Sequence, residues 1–536
     1  MKILKQVLIL LGIGSPWASA ELVLFHNGNI LKSWTPSPQW ASEMLVQDGK
    51  IISLGSRLPR SPETRLWDLK RKWVVPAFTD SHAHLLETGR QHFQLDLRGM
   101  SLQQIRELVQ QALAQKIPVE RVVGFGWDQT LWNDQKFPTR DFLDQISRKI
   151  PIILYRVDGH AVWINSVAHR LAGLSKAESN GSSTPGVFVD LGMEKINRLI
   201  PEDSEEAIKN QIRSVVKKCL SLGITGLHDA GISSREYQVL KALIQEENLP
   251  FRFYEMASFQ DLESLKETVL NRRPEMGLFR DKLTLRTVKF YLDGAMGSRG
   301  ALFDEPYADA PETRGLQLME TETLKKAIQA ADQAGFQVAI HAIGNRANRM
   351  AVDLLESVFG TDTRRKRPRI EHAQILDPTT IEKMGRLGII ASMQPTHCPS
   401  DSRWILTRIG KKRTQYAYPW KSLLNVQTPL AFGSDSPIEA FDPWLGLFSA
   451  TTRMRPEGHP AGGFLPNEKI PLTEAWQAYT SGAAYSAFQE NILGQLAPGY
   501  WADFILLDEN PLKLKSRKIL RTQVHATFVA GHQAFP

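Results

Sequence analysis

The sequence predicts an α/β protein built around a (β/α)8, TIM-like barrel, because of its length, its alternating strand and helix patterns, and its strand-rich ends. The chain has 536 residues, more than one compact core usually holds, so we expect one large domain with additions, or two to three domains. Apolar residues make up 42% of it and charged residues 23%, which is ordinary for a globular protein and excludes a largely disordered chain.

The middle of the chain alternates short apolar runs with helical stretches, a pattern typical of parallel strands joined by helices. The eight runs predicted as strands are residues 74–78, 224–228, 251–256, 285–292, 337–341, 369–371, 388–393 and 429–433. Helical patterns lie between them, for example at 322–334 and 350–358. Eight such units favour a (β/α)8 barrel. The gap after the first strand is too long for one helix, so we expect an inserted subdomain at about residues 90–218.

Both ends of the chain are rich in short strand patterns. Residues 22–25, 44–46 and 49–55 show them near the start, and 502–508 and 524–531 near the end. We therefore expect residues 21–72 and 490–536 to pair into one composite β-sandwich. The barrel would then occupy residues 73–489.

The first twenty residues have the layout of a secretory signal peptide. Lys2 and Lys5 form a basic start, residues 7–12 are apolar, and residues 18–20 read Ala-Ser-Ala. The apolar stretch is too short to span a bilayer, and no cysteine follows the cleavage site to carry a lipid. We expect an exported protein, periplasmic or secreted, without a membrane anchor after cleavage.

Charge and cysteine content narrow the function classes. The net charge of +8 is a mild excess at this length, and the short basic run at 364–367 is typical of a solvated loop, so nucleic-acid binding is not expected. Cys219 and Cys398 are the only cysteines, which excludes a cysteine-rich zinc site. Any metal must be held by histidine, carboxylate or other oxygen ligands.

Polar side chains follow several of the predicted strands. His82 and His84 come after the first strand, two residues apart and therefore on the same side of an extended chain. His341, His372 and Asp435 end three later strands. Since catalytic residues of such barrels lie at the carboxyl ends of the strands, these side chains should meet at one rim, where they would suit a metal.

Lys289 lies inside the apolar strand at 285–292. A buried lysine is costly unless it is paired or altered, and burial lowers its pKa and makes the amine nucleophilic. It could take up carbon dioxide and become a carbamate that bridges two metals. The alternative is a lysine that forms an ion pair with a carboxylate.

These residues together resemble the metal-site pattern of the amidohydrolase superfamily, and more narrowly amidohydrolase family 3, the YtcJ-like branch. The further motifs that carry the resemblance are GFGWD at 124–128, RVDGH at 156–160, LDGAMGSR at 292–299, HAIGN at 341–345 and GSDSP at 433–437. Asn345 stands where the family often has Asp, and Ala77-Phe78 where it often has Gly-Leu. Neither change removes a ligand. The resemblance spans nearly all of the chain after residue 20, and it implies a metal-dependent barrel with a sandwich from both chain ends.

The resemblance also implies a divalent metal, with zinc expected, held as one or two ions per chain. The ligands would be His82, His84, Lys289, His341, His372 and Asp435. With two ions, a carboxylated Lys289 bridges them; with one ion, the lysine stays unmodified. Asp435 would also be the catalytic residue, taking a proton from the attacking water and passing it to the leaving amine.

The insert and other strand ends should supply a pocket for a small-molecule substrate. The candidate substrate-binding residues are Trp127, Asp128, Arg156, His160, Arg299 and Gln394. Two alternatives stay open: Trp127 and Trp163 could form the core of the insert, and Arg156 with Asp158 could be an internal ion pair.

The expected activity is hydrolysis of a carbon–nitrogen bond of the amide or formamide type, other than a peptide bond. An isomerase or decarboxylase on the same metal scaffold, or an esterase, is the alternative, since fold alone does not fix the reaction. A binding protein with an inactive site is disfavoured, because all six ligand-type residues are present. A homodimer is possible, although no residue indicates it.

Overall fold

The computed structural model describes residues 21–34, 37–91, 94–114, 120–174, 184–259 and 273–536. The predicted signal peptide at residues 1–20 lies outside the described residues. Within the described ranges, no helix is both long and apolar enough to cross a bilayer.

Eight parallel strands form a nearly closed sheet and confirm the predicted barrel. In chain order they are Phe78–Ala83, Ile224–Ile232, Arg252–Ser258, Leu283–Tyr291, Gln337–Ala342, Arg369–His372, Ile390–Met393 and Leu430–Phe432. Each pairs with the next, and Glu275–Gly277 adds an antiparallel edge to the fourth. Past the ends of the last and first strands, the Asp435 amide donates to the His82 carbonyl and the His84 amide to the Ser436 carbonyl, both at 2.7 Å. The first and last strands therefore end side by side.

Helices cover the outside of the barrel, as the alternating pattern predicts. They are Glu205–Ser221, Ser234–Glu247, Thr321–Gln333, Asn345–Phe359, Pro378–Leu387, Ile405–Thr414, Trp420–Asn425, Pro443–Thr452, Leu472–Ala478 and Ser481–Ser486. Ser204, Ser233 and Asp377 cap three of them, since each side chain accepts a hydrogen bond from a backbone amide of the first turn. Short helices occupy Leu278–Asp281, Thr363–Lys366 and His397–Asp401.

The two chain ends form two sheets that pack on each other. One sheet holds Leu22–His26, Glu43–Gln47, Lys50–Gly55 and Arg65–Asp68; the other holds Asn29–Ser33, Gln39–Ala41, Trp73–Pro76, Phe504–Leu507, Val524–Val529 and His532–Phe535. Phe25, Phe504 and Phe528 pack in the apolar core between them. The sandwich is fastened to the barrel by Arg252, whose guanidinium donates to both oxygens of Asp503 at 2.5 and 2.9 Å.

The prediction that residues 74–78 form the first barrel strand is wrong. Trp73–Pro76 belongs to the sandwich, where it lies between strands from the two chain ends. The chain crosses from the sandwich to the barrel at Ala77. The Ala77 amide donates to the Asp503 carbonyl, in the sandwich, whereas the Phe78 amide donates to the Gly223 carbonyl, beside the second barrel strand. One continuous apolar run therefore serves two sheets, because both are buried at this point.

Between the first and second barrel strands the chain forms a separate five-stranded sheet. Its strands, in spatial order, are Val187–Val189, Ala161–Ile164, Ile152–Arg156, Val122–Trp127 and Leu95–Asp96. The helices Leu102–Leu113, Arg140–Asp144, Ser166–Leu171 and Glu194–Asn197 accompany it, whereas Leu85–Gln91 packs on the barrel helix Glu205–Ser221. We call this unit the insert. It lies over the end of the barrel where the strands carry His82 and His84.

Candidate metal centre and active site

The closure of the barrel brings the first histidine pair to the last strand. His82 and His84 end the first strand, and the Nε2 atom of each lies 3.3 Å from Oδ1 of Asp435. Asp80 holds this junction, since its buried carboxylate accepts from the amide of His82 at 3.1 Å and from that of Ser434 at 3.0 Å. The backbone contacts that close the barrel therefore also set the geometry between the histidines and the carboxylate.

The other predicted ligands lie at the same end of the barrel. The His372 ring centroid is 4.8 Å from that of His82 and 4.5 Å from that of His341. Lys289 is fully buried on the fourth strand. A cavity of about 410 Å³ is lined by five of the six ligand-type residues: His84, Lys289, His341, His372 and Asp435. The sixth, His82, is fully buried beneath them.

Side chains behind the histidines hold the rings by one nitrogen. Nδ1 of His82 bonds to Oε2 of Glu371 at 2.5 Å, and Nδ1 of His372 bonds to Oε1 of Gln394 at 2.9 Å. His341 differs, since its Nε2 lies 3.6 Å from Oδ1 of Asp293 and forms no hydrogen bond with the described residues. Such partners orient the rings of metal-binding histidines and leave the opposite nitrogen free as the ligand atom. Gln394, predicted to touch substrate, thus lies behind His372 instead.

Glu371 is part of a buried ionic network inside the barrel. The fully buried Arg369 donates to it at 2.7 Å and also to the Ser81 carbonyl at 2.7 Å and Nδ1 of His228 at 3.1 Å. Burial alone would raise the pKa of Glu371, but Arg369 and His82 hold it well below its usual range. The carboxylate behind His82 is therefore ionised, and its charge is matched by Arg369.

The donor set fits a divalent metal. Nε2 of His82, Nζ of Lys289 and Oδ1 of Asp435 are buried and have no hydrogen-bond partner among the described residues. Ligand atoms of His82, His372 and Asp435 lie within 4.8 Å of one another. Imidazole nitrogens with a carboxylate oxygen are ligands that zinc and similar ions take. Burial lowers the pKa of Lys289 to about 8.

His397 lines the same cavity and is not among the residues predicted from the sequence. Its Nδ1 accepts from Nε2 of Gln374 at 3.1 Å, and its Nε2 lies 3.7 Å from Oδ2 of Asp435. His397 opens a short helix four residues beyond its barrel strand. It therefore does not follow directly after a strand.

Three of the six candidate substrate residues line the cavity: Asp128, Arg156 and His160. Arg156 donates to Asp128 at 3.1 Å, to Asp158 at 2.5 Å and to Gln129 at 2.8 Å. His160 bonds through Nδ1 to Asp190 at 2.5 Å. The predicted ion pair between Arg156 and Asp158 is thus present and forms part of the cavity wall.

Two other candidates lie away from the cavity. Trp127 is fully buried in the apolar core of the insert, packs against Trp163, and donates its indole N–H to the Leu154 carbonyl at 2.7 Å. Arg299 forms an ion pair with Asp309 at 3.0 Å. Neither side chain lines the cavity that contains the predicted ligands.

A metal-ligand cluster at the carboxyl ends of barrel strands, beside a sandwich made from both chain ends, defines a metal-dependent hydrolase. Residues 65–535 match the model of the amidohydrolase family, and the chain belongs to that family. It is 33% identical to protein LONG AFTER FAR-RED 3 of Arabidopsis thaliana, over 96% of this chain and 91% of the relative, and 30% identical to YtcJ of Bacillus subtilis (strain 168), over 91% and 94%.

A solved structure and a further relative agree with the assignment to the metal-dependent hydrolases. The crystal structure of an uncharacterized metal-dependent hydrolase from Pyrococcus furiosus superposes with a TM-score of 0.74 at 31% identity, covering 92% of this chain and all (100%) of the other. The N-substituted formamide deformylase of Arthrobacter pascens is 23% identical over 92% of this chain and 94% of its own length.

Proposed function

We propose that this metal-dependent hydrolase cleaves a carbon–nitrogen bond of an amide or formamide, other than a peptide bond. The observation that carries the proposal is the position of Asp435, which contacts both His82 and His84 and also faces the cavity. A carboxylate placed there can serve the metal and move a proton. The likeness to a formamide deformylase, though at only 23% identity, points to the same bond type.

A divalent metal held by this ligand set would activate water and polarise a carbonyl oxygen. Asp435 accepts the proton of the attacking water and delivers it to the leaving nitrogen. Burial alone would raise the pKa of Asp435, but its close contacts with His82 and His84 hold that pKa well below its usual range. It is therefore ionised at neutral pH, as a proton acceptor must be.

His397 lies beside the second oxygen of Asp435. Its Nδ1 is hydrogen-bonded to Nε2 of Gln374 at 3.1 Å, and its Nε2 lies 3.7 Å from Oδ2 of Asp435, beyond hydrogen-bond distance.

The proposed ion is zinc, with two ions and a carboxylated Lys289 as the preferred form. The Lys289 amine, whose pKa burial lowers to about 8, is partly neutral near neutral pH. The neutral amine adds to the carbon of carbon dioxide and releases a proton, which yields a carbamate with two ligand oxygens. Treatment with labelled carbon dioxide and carbon-13 NMR should detect a carbamate that Lys289→Met lacks.

The experiment that tests the proposed activity is a hydrolysis screen with zinc or manganese supplied. It should include N-acyl and N-formyl amines, cyclic amides, dipeptides and esters, so that the bond type is decided by the outcome. We expect turnover of amides or formamides and its loss in Asp435→Asn. Metal-loaded protein that cleaves only esters or dipeptides would overturn the proposed bond type.

A further inference from the structure

His397 carries a buried ring nitrogen that has no partner among the described residues. The residue is 7% exposed and lines the catalytic cavity together with the ligand-type residues. Its Nε2 is buried and forms no hydrogen bond with the part of the chain that the structure describes. A buried polar atom without a partner is unfavourable and needs an explanation. The cavity can supply the missing partner when a substrate fills it.

The other ring nitrogen of His397 is held by Gln374, which also lines the cavity. The side-chain nitrogen of Gln374 lies 3.1 Å from Nδ1, and an amide nitrogen can only donate. Nδ1 therefore accepts, and the hydrogen of the neutral ring lies on Nε2. The ionised Asp435, 3.7 Å from Nε2, favours the same arrangement, because a lone pair on Nε2 would face a negative charge. His397 thus offers a hydrogen-bond donor.

His397 lies beside the proposed metal site and is not part of its donor set. Oδ1 of Asp435 is 3.3 Å from Nε2 of both His82 and His84, whereas His397 faces the other oxygen, Oδ2. Among the described residues, the ligand atoms that lie within 4.8 Å of one another belong to His82, His372 and Asp435, without His397. The free nitrogen is therefore available to a substrate.

The neighbours of His397 place its donor close to the reacting carbonyl group. Its ring is nearly parallel to that of His372, with centroids 6.2 Å apart and planes 10° apart. His372 is a proposed metal ligand, and the carbonyl oxygen of an amide is the atom that such a metal polarises. Asp435, on the other side of His397, is the proposed proton carrier. An amide attacked between these two residues has its oxygen within reach of Nε2.

We propose that His397 is a catalytic residue that donates a hydrogen bond from Nε2 to the carbonyl oxygen of the substrate as this oxygen becomes negatively charged. The proposal rests on the proposed amide hydrolysis. In that reaction the water oxygen bonds to the carbonyl carbon, and the electron pair of the C=O double bond moves onto the oxygen. The pair returns when the C–N bond breaks, and the leaving nitrogen takes the proton that Asp435 accepted from the water. A donor at the charged oxygen stabilises the transition state more than the neutral amide.

Two substitutions separate the donor from the rest of the ring. Asparagine can place its amide where Nδ1 lies and keep the contact with Gln374, but it ends short of Nε2. Glutamine is longer and can place an N–H near the Nε2 position. In full-length, metal-loaded protein, hydrolysis of 4-nitroacetanilide should slow by about 100- to 1000-fold in His397→Asn and by about tenfold or less in His397→Gln. Metal content should equal that of the wild type in both.

The binding of two small probes gives a readout that does not depend on turnover. Methylphosphonate is tetrahedral and negatively charged, as the attacked carbonyl group is, whereas acetamide is planar and neutral. Calorimetry should show that His397→Asn weakens methylphosphonate binding by about 10- to 100-fold and acetamide binding by about fivefold or less. His397→Gln should recover most of the affinity for methylphosphonate.

Cys398→Ala is the matched control, because it alters the next buried residue of the same short helix and leaves the cavity lining unchanged. It should keep the wild-type rate and both affinities. A wild type that does not bind methylphosphonate, or equal losses in all three variants, would overturn the donor. Loss of metal from His397→Asn would make His397 a ligand and exclude the donor as well. If the binding losses appear but the wild type hydrolyses no amide or formamide, the donor stands and the proposed reaction fails.

Discussion

The barrel rim and the insert contribute to the same cavity but hold their side chains in different ways. At the rim, His82 is hydrogen-bonded to Glu371 from across the barrel, and His372 to Gln394 just after the next strand. In the insert, Arg156 and Asp158 hold each other across a turn. The rim geometry is thus fixed by the sheet, whereas the insert geometry depends on local pairs. Changes at the rim should alter metal binding and catalysis, and changes in the insert should alter which substrate binds.

The largest effect is expected for Asp435→Asn. The amide keeps the size of the side chain and one oxygen for a metal, but it cannot accept the proton. We expect the hydrolysis rate to fall by at least about a thousandfold, near the upper range for general acid–base catalysis, with most of the metal retained. Steady-state kinetics and elemental analysis of the same preparation check this, and hydrolysis at the parental rate would exclude the proton transfer.

Glu371→Gln should damage the rim without touching the cavity. His82 loses its charged partner, and the buried Arg369 is left without its counter-ion. We expect metal affinity to fall by about 10- to 100-fold and stability by about 3–5 kcal/mol. Chelator competition and chemical denaturation measure the two effects. Glu382→Gln, an exposed change, is the control; metal affinity equal to that of the control would contradict the role of Glu371.

Arg156→Lys should separate the insert from the rim. A lysine cannot reproduce the fork that holds Asp128 and Asp158, so the cavity wall loosens while the ligands stay in place. We expect KM to rise by about tenfold with kcat changed by less than about threefold. Metal content should match the wild type. A variant that lost metal instead would show that the insert supports the rim.

The smallest effect concerns a buried carboxyl pair outside the catalytic cavity. Asp229 and Glu255 are register partners on the second and third barrel strands. Burial and the nearby Glu87 carboxylate raise the pKa of Asp229 to about 7. Burial and the neighbouring Asp229 raise the pKa of Glu255. Because the folded pKa values lie above the unfolded ones, the pair's contribution to stability is complete at low pH and lost as the pH rises through about 7.

Glu255→Gln removes one of these ionisations. The melting temperature of the variant, relative to the wild type, should therefore be higher at about pH 8.5 than at about pH 5 by a few degrees. Thermal scans at both values measure it. A relative melting temperature that falls with rising pH would have the wrong sign and would contradict the shared burial.

The fold and the ligand-type residues were predictable because each depends on local sequence. An apolar run followed by histidine or aspartate indicates a strand and its end, and seven of the eight predicted runs lie mainly on observed barrel strands. The first run, 74–78, does not, because residues up to Pro76 lie in the sandwich and only Phe78 lies in the barrel, and apolar composition does not distinguish between the two sheets. Strand-end position alone likewise could not indicate His397, which reaches the cavity from a helix.

Partners from different strands were not predictable, since they depend on register. Glu371 supports His82, 289 residues away in sequence, only because their strands face each other across the barrel. The direction in which the Trp127 side chain points also could not be predicted, although it depends on pairing between strands that are close in sequence. The pairing register shifts between Phe125 and Trp127, so simple alternation along that strand does not tell which side chain faces the cavity and which the insert core.

The central claim is that the barrel rim holds a catalytic divalent metal. The most direct measurement is the metal content of the purified wild type and of His82→Ala by elemental mass spectrometry, with hydrolysis assayed on the same samples. We expect about one or two divalent ions per chain in the wild type, and nearly none, with no activity, in His82→Ala. Wild-type protein that hydrolyses its substrate at full rate after complete removal of metal would contradict the claim.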